Sequence, residues 1–272
     1  MYNVEFFGAF DITALVLTLF TLFFVGLLIY LRREDRREGY PIEDDVHGRL
    51  EPALGTFFSP RPKAFRLGGT GGIVFKPDEQ RDTMELKAAR RSRVSGTPLQ
   101  PVGDPMLAAV GPGAYALRAR TPDLTDHGDL KITPLRNAPD FVVDARDPDP
   151  RGMTVLGADR RTAGVVSDVW VDRGEIMVRY LEVELPASAA AGLSVVGSVA
   201  APGRRVLLPM TMAVISRSGG AVKVDAILAS QFADVPALET PDVVTRDEEE
   251  RICAYYGGGY LYATAARAEP LL

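Results

Sequence analysis

The chain has 272 residues, of which 46% are hydrophobic and 25% charged, and this size and balance are typical of a globular protein with one or two domains. A net charge of -5 and a pI of about 5.2 argue against a nucleic-acid-binding protein, which needs a basic face to displace counterions. One cysteine, Cys253, excludes an intramolecular disulfide and a zinc site of several cysteines, and two histidines, His47 and His127, are too few for a histidine-rich metal cluster.

Residues 12–31 form a run of 20 residues without a formal charge. At 1.5 Å per residue, a helix of this length spans about 30 Å, the hydrocarbon thickness of a bilayer. Tyr30 lies where an aromatic residue of the membrane interface belongs. The run therefore predicts a single transmembrane helix.

The charges on the two sides of this run differ sharply. Residues 1–11 carry Glu5 and Asp11 and no basic residue, whereas four arginines follow the run: Arg32, Arg33, Arg36 and Arg37. Basic residues remain on the cytoplasmic side, so we expect a periplasmic tail at 1–11, an arginine cluster at the membrane interface and a cytoplasmic remainder. A cleaved signal peptide would instead begin with basic residues.

The segment 32–105 is rich in proline and contains only short apolar bursts. Such a segment buries too little surface to fold alone, so we expect an extended chain that lies along another surface. Its glycine-rich run at 68–72 lacks the Gly-Lys-Ser/Thr ending of a phosphate-binding loop, and it predicts a turn before a short strand at 73–75.

Residues 106–240 are predicted to form a cytoplasmic β-domain. In one strand Leu181, Val183 and Leu185 alternate with two glutamates, and this period of two indicates a half-buried strand. Residues 172–175 predict a hairpin turn with positive φ at Gly174. Short strands joined by tight turns indicate a small antiparallel barrel. The predicted strands lie at 141–143, 164–172, 176–185, 205–208, 212–216 and 221–224.

Two further segments complete the chain. The segment 186–203 is small, apolar and uncharged, and it predicts a long loop or insertion that contacts a partner or the membrane. Residues 241–272 are predicted to form a C-terminal helix and tail. Thr245 and Glu248 fit a capping box at the start of this helix, which should fade near Gly257–Gly259.

These features occur in a definite order along the sequence. In that order and beside one N-terminal helix, the chain resembles the H subunit of the photosynthetic reaction centre of purple-type bacteria, whose cytoplasmic domain contains a PRC-barrel. The motifs that carry the resemblance are Phe7–Asp11, Arg37–Pro41, Gly103–Met106, Val110–Pro112, His127-Gly128, Lys131-Ile132, Trp170–Asp172, Leu181–Leu185, Leu207–Met210 and Ile252-Cys253.

The resemblance implies a non-catalytic subunit in the bacterial inner, photosynthetic membrane. This subunit would cap the cytoplasmic side of the L and M subunits, stabilise the quinone sites and carry protons to the secondary quinone. It would bind no cofactor alone; bacteriochlorophyll, bacteriopheophytin, quinones and non-haem iron would belong to the partner subunits. Light-harvesting antenna, cytochrome-bearing subunits and membrane lipids are the other expected neighbours.

A proton path needs groups that bind and release protons within reach of one another or of water, and histidine, with an ordinary pKa of about 6.5, suits the entry. The resemblance assigns proton entry to His127 with Asp126 and Asp129, although the family often has a second histidine where Asp129 stands. It also places Asp172 and Glu175 on the path, with Arg179 as their basic partner. Without the resemblance, the acidic loop is best interpreted as a solvated surface and the turn equally well as a polar turn.

Two other functions compete with this one. An anchored PRC-barrel module could recruit other proteins to the membrane, because similar barrels occur in RNA-processing and sporulation proteins. A membrane-tethered hydrolase is disfavoured, because the sequence contains no nucleophile elbow, no H-E-x-x-H and no P-loop. The transmembrane helix and the extended segment favour the reaction-centre subunit.

Overall fold

The computed structural model describes residues 11–40, 47, 60–68, 71–78, 85–186, 203–216 and 220–268. The chain divides into two compact units, Met1–Met84 with Ser92–Thr97 and Glu85–Arg91 with Pro98–Leu272. The N-terminal tail at 1–10 and the apolar segment at 187–202 lie outside the described residues, so what the sequence indicates for them stays a prediction.

Helix α1 (Ile12–Glu34) confirms the predicted apolar helix and continues to the arginine cluster. Its N-terminal cap is Asp11, whose carboxylate accepts a hydrogen bond from the amide of Thr13 at 2.9 Å. The hydroxyls of Thr18 and Thr21 donate to carbonyls four residues earlier, at 2.7 and 2.8 Å, so these polar groups are satisfied within the helix, as a lipid environment requires. Within the described part of the chain, this is the one helix long and apolar enough to cross a membrane.

Two short hairpins lie between α1 and the large sheet in the sequence. β1 (Lys63–Arg66) pairs with β2 (Ile73–Lys76), and β3 (Ala88–Arg90) pairs with β4 (Leu99–Pro101), both antiparallel. β2 matches the predicted strand at 73–75. The sequence did not indicate the other three strands, because three or four residues are too few to show an alternating pattern.

The C-terminal unit is built on one mixed sheet of seven strands in the order β10-β11-β6-β7-β8-β9, with β5 also paired to β7. The pairs are antiparallel except for β6 and β11, which run parallel, so the predicted antiparallel barrel is confirmed apart from this one pair. The strands are β5 (Ile132–Pro134), β6 (Thr154–Leu156), β7 (Thr162–Asp172), β8 (Met177–Glu184), β9 (Arg205–Pro209), β10 (Val214–Ile215) and β11 (Ala221–Lys223).

One predicted strand is absent. Residues 141–143 are an irregular loop in which the side chain of Val142 is 86% exposed. The amide of Phe141 donates to the carbonyl of Ala138 in a turn, and β5, which precedes this segment in the sequence, takes the place beside β7. An apolar triplet is therefore insufficient to make a strand without a partner for its backbone groups.

Helix α2 (Arg246–Tyr262) packs against the sheet and begins at the predicted capping box. The hydroxyl of Thr245 accepts from the amide of Glu248 at 3.2 Å, and the carboxylate of Glu248 accepts from the amide of Thr245 at 2.7 Å. The helix does not fade at its three glycines. A Cβ on Gly259 would lie 2.4 Å from the carbonyl oxygen of Ala226, so the missing side chain lets the helix approach neighbouring backbone closely.

A partly buried ion cluster covers the glutamate face of β8. Glu182, only 3% exposed, accepts hydrogen bonds from Arg136 at 2.9 Å, from the Trp170 indole at 3.0 Å and from the Ser167 hydroxyl at 2.9 Å. Arg136 also donates to Asp168 at 2.8 Å. The alternation along β8 was predicted correctly, but the strand is buried on both faces at Glu182 because this carboxylate has partners for both oxygens.

The ends of the apolar segment 187–202 are held together by the barrel. β8 and β9 remain paired as far as Glu184 and Arg205, and the amide of Leu185 then donates to the carbonyl of Arg204 at 2.9 Å. Gly203 follows directly, where a Cβ would meet the carbonyl oxygen of Leu185 at 2.2 Å. The chain therefore leaves and re-enters the sheet at adjacent points.

Glu182→Ala should destabilise the chain by about 3 kcal/mol, because the substitution leaves the Trp170 indole without an acceptor and removes one buried partner of Arg136. The matched control is Glu184→Ala on the same strand, which should cost less than about 1 kcal/mol. Urea unfolding of the full chain, followed by the fluorescence of its sole tryptophan, measures both losses. Equal losses would show that the ion cluster has no special role.

Candidate functional site

Most of the predicted proton-transfer residues meet around one cavity of about 420 Å³. Asp126, His127 and Asp129 line it from one loop, and Glu175 lines it from the turn between β7 and β8. Lys131 lies between these two groups. The fold thus brings together residues that are almost fifty positions apart in the sequence.

The histidine loop is a tight turn held by its own backbone. The amide of Thr125 donates to the carbonyl of Asp129 at 2.8 Å, and the amide of Gly128 donates back to the carbonyl of Thr125 at 2.9 Å. Gly128 has a φ of +88°, a conformation that glycine adopts without strain. The loop exposes the side chains of Asp126, His127 and Asp129 to solvent, as a proton-entry point requires.

The turn that carries Glu175 is organised by the buried carboxylate of Asp172. Asp172 is 1% exposed, and its Oδ1 accepts hydrogen bonds from the amides of Gly174 and Glu175, both at 2.9 Å. The positive φ predicted for Gly174 is found instead at Ile176, at +53°. The loop is four residues long, and the aspartate fixes its first part, so the left-handed residue comes at its end.

Lys131 is the cation at the centre of the site, and its charge was not singled out in the sequence. Its Nζ lies 3.9 Å from Asp172 Oδ2, 3.9 Å from Glu175 Oε1 and 4.0 Å from Asp123 Oδ2. Its position follows from the pairing of β5 with β7, which sets Ile132 opposite Asp172. Because β5 has only three residues, nothing local in the sequence indicated this arrangement.

Two arginines complete the charge pattern of the site. Arg179, on β8, lies with its Nε 3.8 Å from Asp172 Oδ2. Arg173 lies 3.8 Å from Asp129 and so connects the turn to the histidine loop. Asp172 therefore faces two cations and two amides, whereas Glu175, 63% exposed, has one cation within 4 Å in the described structure.

Helix α2 contributes Glu249, which sequence reasoning included only as part of an acidic first turn. The hydroxyl of Tyr180 donates to Glu249 Oε2 at 2.7 Å. Burial raises the pKa of Glu249; the Tyr180 hydrogen bond and the charge of Arg179 oppose this rise, and the negative charge of Asp172 adds to it. Burial likewise raises the pKa of the nearby Cys253 thiol. Glu249 is thus a partly buried carboxyl that holds its proton more tightly than an exposed one.

Asp123 has the opposite environment. Arg246, in the first turn of α2, donates to Asp123 Oδ1 at 2.6 Å, and this hydrogen bond lowers the pKa of Asp123. The same contact ties α2 to the histidine loop, together with the bond from the Arg246 amide to the carbonyl of Thr121. Carboxyls with raised and lowered proton affinity therefore flank the same group of cations.

The arginine cluster at the end of α1 is divided between two roles. Arg32 pairs with Asp35 at 3.3 Å and remains 70% exposed. Arg37 is only 14% exposed and binds Glu34 at 2.7 Å, so it is a structural residue rather than a free interfacial charge. Arg33 is partly exposed, and the guanidinium of Arg36 stacks over the ring of Tyr40 at 5.4 Å.

The long apolar helix and the curled sheet define a membrane-anchored protein with a PRC-barrel domain, and residues 143–231 match the family model of that domain. Residues 4–137 match the model described as the photosynthetic reaction centre H-chain N-terminal region. The chain belongs to the family of photosynthetic reaction centre H subunits. It is therefore a structural subunit of a reaction-centre complex, and this family membership confirms the resemblance and fold class predicted from the sequence.

Glu249→Gln should remove a pH-dependent loss of stability. Because the folded chain holds the Glu249 proton more tightly than the unfolded chain, wild-type stability falls as pH rises from the ordinary carboxyl pKa of 4.5 through the raised pKa. Glutamine cannot ionise and keeps an acceptor for Tyr180. The free energy of unfolding of the variant, relative to wild type, should therefore increase with pH across this window, as measured by urea unfolding at several pH values.

Tyr180→Phe provides the companion test. The Tyr180 hydrogen bond lowers the pKa of Glu249, so its removal should raise that pKa further and move the loss of stability to higher pH. A difference between Glu249→Gln and wild type that is flat with pH would contradict the raised pKa.

Proposed function

We propose that this H subunit conducts protons from the cytoplasm to the secondary quinone, caps the cytoplasmic face of the L and M subunits and stabilises their quinone sites. The observation that carries the proposal is the cavity where the histidine loop meets the β7–β8 turn. It joins an exposed histidine to a carboxylate that stands beside the buried Asp172 and its two partly exposed cations. Bacteriochlorophyll, bacteriopheophytin, quinones and non-haem iron belong to the partner subunits in this proposal.

The entry step uses the exposed loop. His127 lies at its tip beside Asp126 and Asp129, so protons captured from water can pass between neighbouring groups. Arg173, near Asp129, holds the loop next to the turn. Because Asp129 stands where relatives often have a second histidine, we expect entry to depend mainly on His127.

The transfer step uses Glu175 rather than Asp172. The oxygens of Asp172 are already engaged with two amides and two cations, so its main role is to order the turn. Glu175 is exposed and faces Lys131 at 3.9 Å, which leaves it free to exchange a proton with water in the cavity. Glu249 adds a partly buried carboxyl with a raised pKa, which interacts with the charge of Arg179.

The proposed topology follows from the charges around α1. Four arginines follow the apolar run and none precedes it, which favours a periplasmic N-terminus and a cytoplasmic C-terminal domain in the bacterial inner membrane. The L and M subunits, light-harvesting antenna and cytochrome-bearing subunits are the neighbours that we infer for this arrangement.

Glu175→Gln should slow the proton-coupled transfer of the second electron to the secondary quinone by about tenfold or more, because a proton carrier is lost while the shape of the side chain is kept. Flash-induced absorbance changes of the purified complex measure this rate, and charge separation in the same sample is the internal control. Glu85→Gln, at an exposed glutamate outside the cavity lining, is the matched control and should leave the rate unchanged.

Asp172→Asn separates positioning from transfer. This variant should both slow the second electron transfer and lower the stability of the isolated chain, because it weakens the hydrogen bonds that order the turn. An unchanged rate in Glu175→Gln would remove Glu175 from the path, whatever the result for Asp172.

A further inference from the structure

The hairpin β1–β2 is fastened to the end of the membrane helix. The guanidinium of Arg37 donates to the carbonyl of Arg61 at 2.7 Å and to the carbonyl of Lys76 at 3.0 Å, and these residues flank the open end of the hairpin. Lys63 Nζ lies 3.8 Å from Glu34 Oε2, in the last turn of α1. All these residues lie in one compact unit.

The hairpin exposes apolar side chains that nothing in the described structure covers. The register sets Ala64 opposite Phe75 and Arg66 opposite Ile73, so these four residues share one face. Ile73 is 60% exposed and Phe75 is 58% exposed. A two-stranded hairpin has no core of its own and is marginal in water, so this apolar face needs a surface to contact.

The charge of the hairpin shows what kind of surface fits. The described residues 60–68 and 71–78 contain four cations and one acid, Asp78, which pairs with Lys76 at 2.6 Å. Arg61 and Arg66 form no ion pair with any described residue and are exposed. Basic residues beside exposed aromatic and aliphatic side chains are typical of a segment that lies on an anionic lipid surface.

The position of the hairpin brings it close to the lipid headgroups. Because α1 spans the hydrocarbon, its last turn lies at the level of the lipid headgroups, and the Arg37 bonds hold the hairpin at the same level. We propose that β1–β2 is a membrane-docking hairpin, with Ile73 and Phe75 in the lipid interface and Arg61 and Arg66 on the phosphates of anionic lipids. This docking goes beyond proton conduction and does not depend on it.

Tryptophan replacements test the apolar contact. The full-length chain carrying Phe75→Trp is reconstituted in phosphatidylglycerol vesicles whose acyl chains are brominated near the headgroup. Contact with lipid should quench the new tryptophan by about half or more, because bromine quenches only at short range, whereas Trp170 is buried in the barrel. Ile73→Trp is a second variant on the same face, and Val142→Trp, at an 86% exposed position of the C-terminal unit, is the reference for an exposed tryptophan outside the hairpin.

Charge variants test the choice of lipid. Quenching should be much weaker in vesicles of phosphatidylcholine whose acyl chains are brominated at the same positions. The double variant Arg61→Gln, Arg66→Gln should abolish the preference for phosphatidylglycerol. The control is Arg161→Gln, whose side chain is 84% exposed on the other unit. Equal quenching in both lipids would contradict the anionic partner, and quenching no greater than at Val142→Trp would contradict docking altogether.

The purified complex distinguishes lipid from protein. If the quenching seen in vesicles disappears when the other subunits are present, a subunit covers the hairpin and the proposal is overturned; if it persists, the proposal holds. None of these variants touches the cavity around Lys131, so failure of membrane docking leaves the second electron transfer as an independent test of proton conduction.

Discussion

The buried carboxylate of Asp172 is the interaction on which the functional part of the structure depends. It ends the longest strand of the sheet, orders the turn that follows and faces Lys131 and Arg179. A buried carboxylate is tolerated only when its hydrogen-bonding capacity is filled, and here two amides and two cations fill it. The geometry of the β7–β8 turn and the placement of Glu175 are therefore set by the same side chain.

A single charge network can serve two purposes in this arrangement. The cations that stabilise Asp172 also determine how readily the neighbouring carboxyls release protons, since each carboxyl responds to the nearest charges and to its burial. Asp123 and Glu249 show the two extremes, with a pKa lowered by Arg246 and a pKa raised by burial. The stability of the domain and its proton affinity are consequently coupled and cannot be altered separately at these positions.

The parts of the fold that were predictable from sequence are those with a local cause. The apolar run predicted α1, the Thr245–Glu248 capping box predicted the start of α2, and period-two alternation predicted β8. The strands β5 and β6 were missed because each has three residues and exists only through pairing with other strands, β7 for β5 and both β7 and β11 for β6. The glycines of α2 were misinterpreted because close packing against distant backbone leaves no local signal.

The candidate site shows the same division. His127 and Glu175 were found through colinear motifs that resemble a known family, not through their spacing. Lys131 and Glu249 were missed as site residues because their relevance depends on strand register and on the docking of α2, which no short stretch of sequence reveals. Individual protonatable residues can thus be predicted from the sequence, whereas the surrounding charges that shift their pKa values depend on the tertiary structure.

The closed base of the apolar segment between β8 and β9 has a consequence for the length of that segment. The amide of Leu185 and the carbonyl of Arg204 join β8 and β9 at the point where the chain leaves the sheet. The pairing of these two strands therefore requires only that the two ends of the segment lie side by side. Doubling the length of a flexible connection costs only about 0.6 kcal/mol of closure entropy. The barrel therefore places little thermodynamic constraint on the number of residues between these two points, and the length of this segment can change without a change in the barrel sequence.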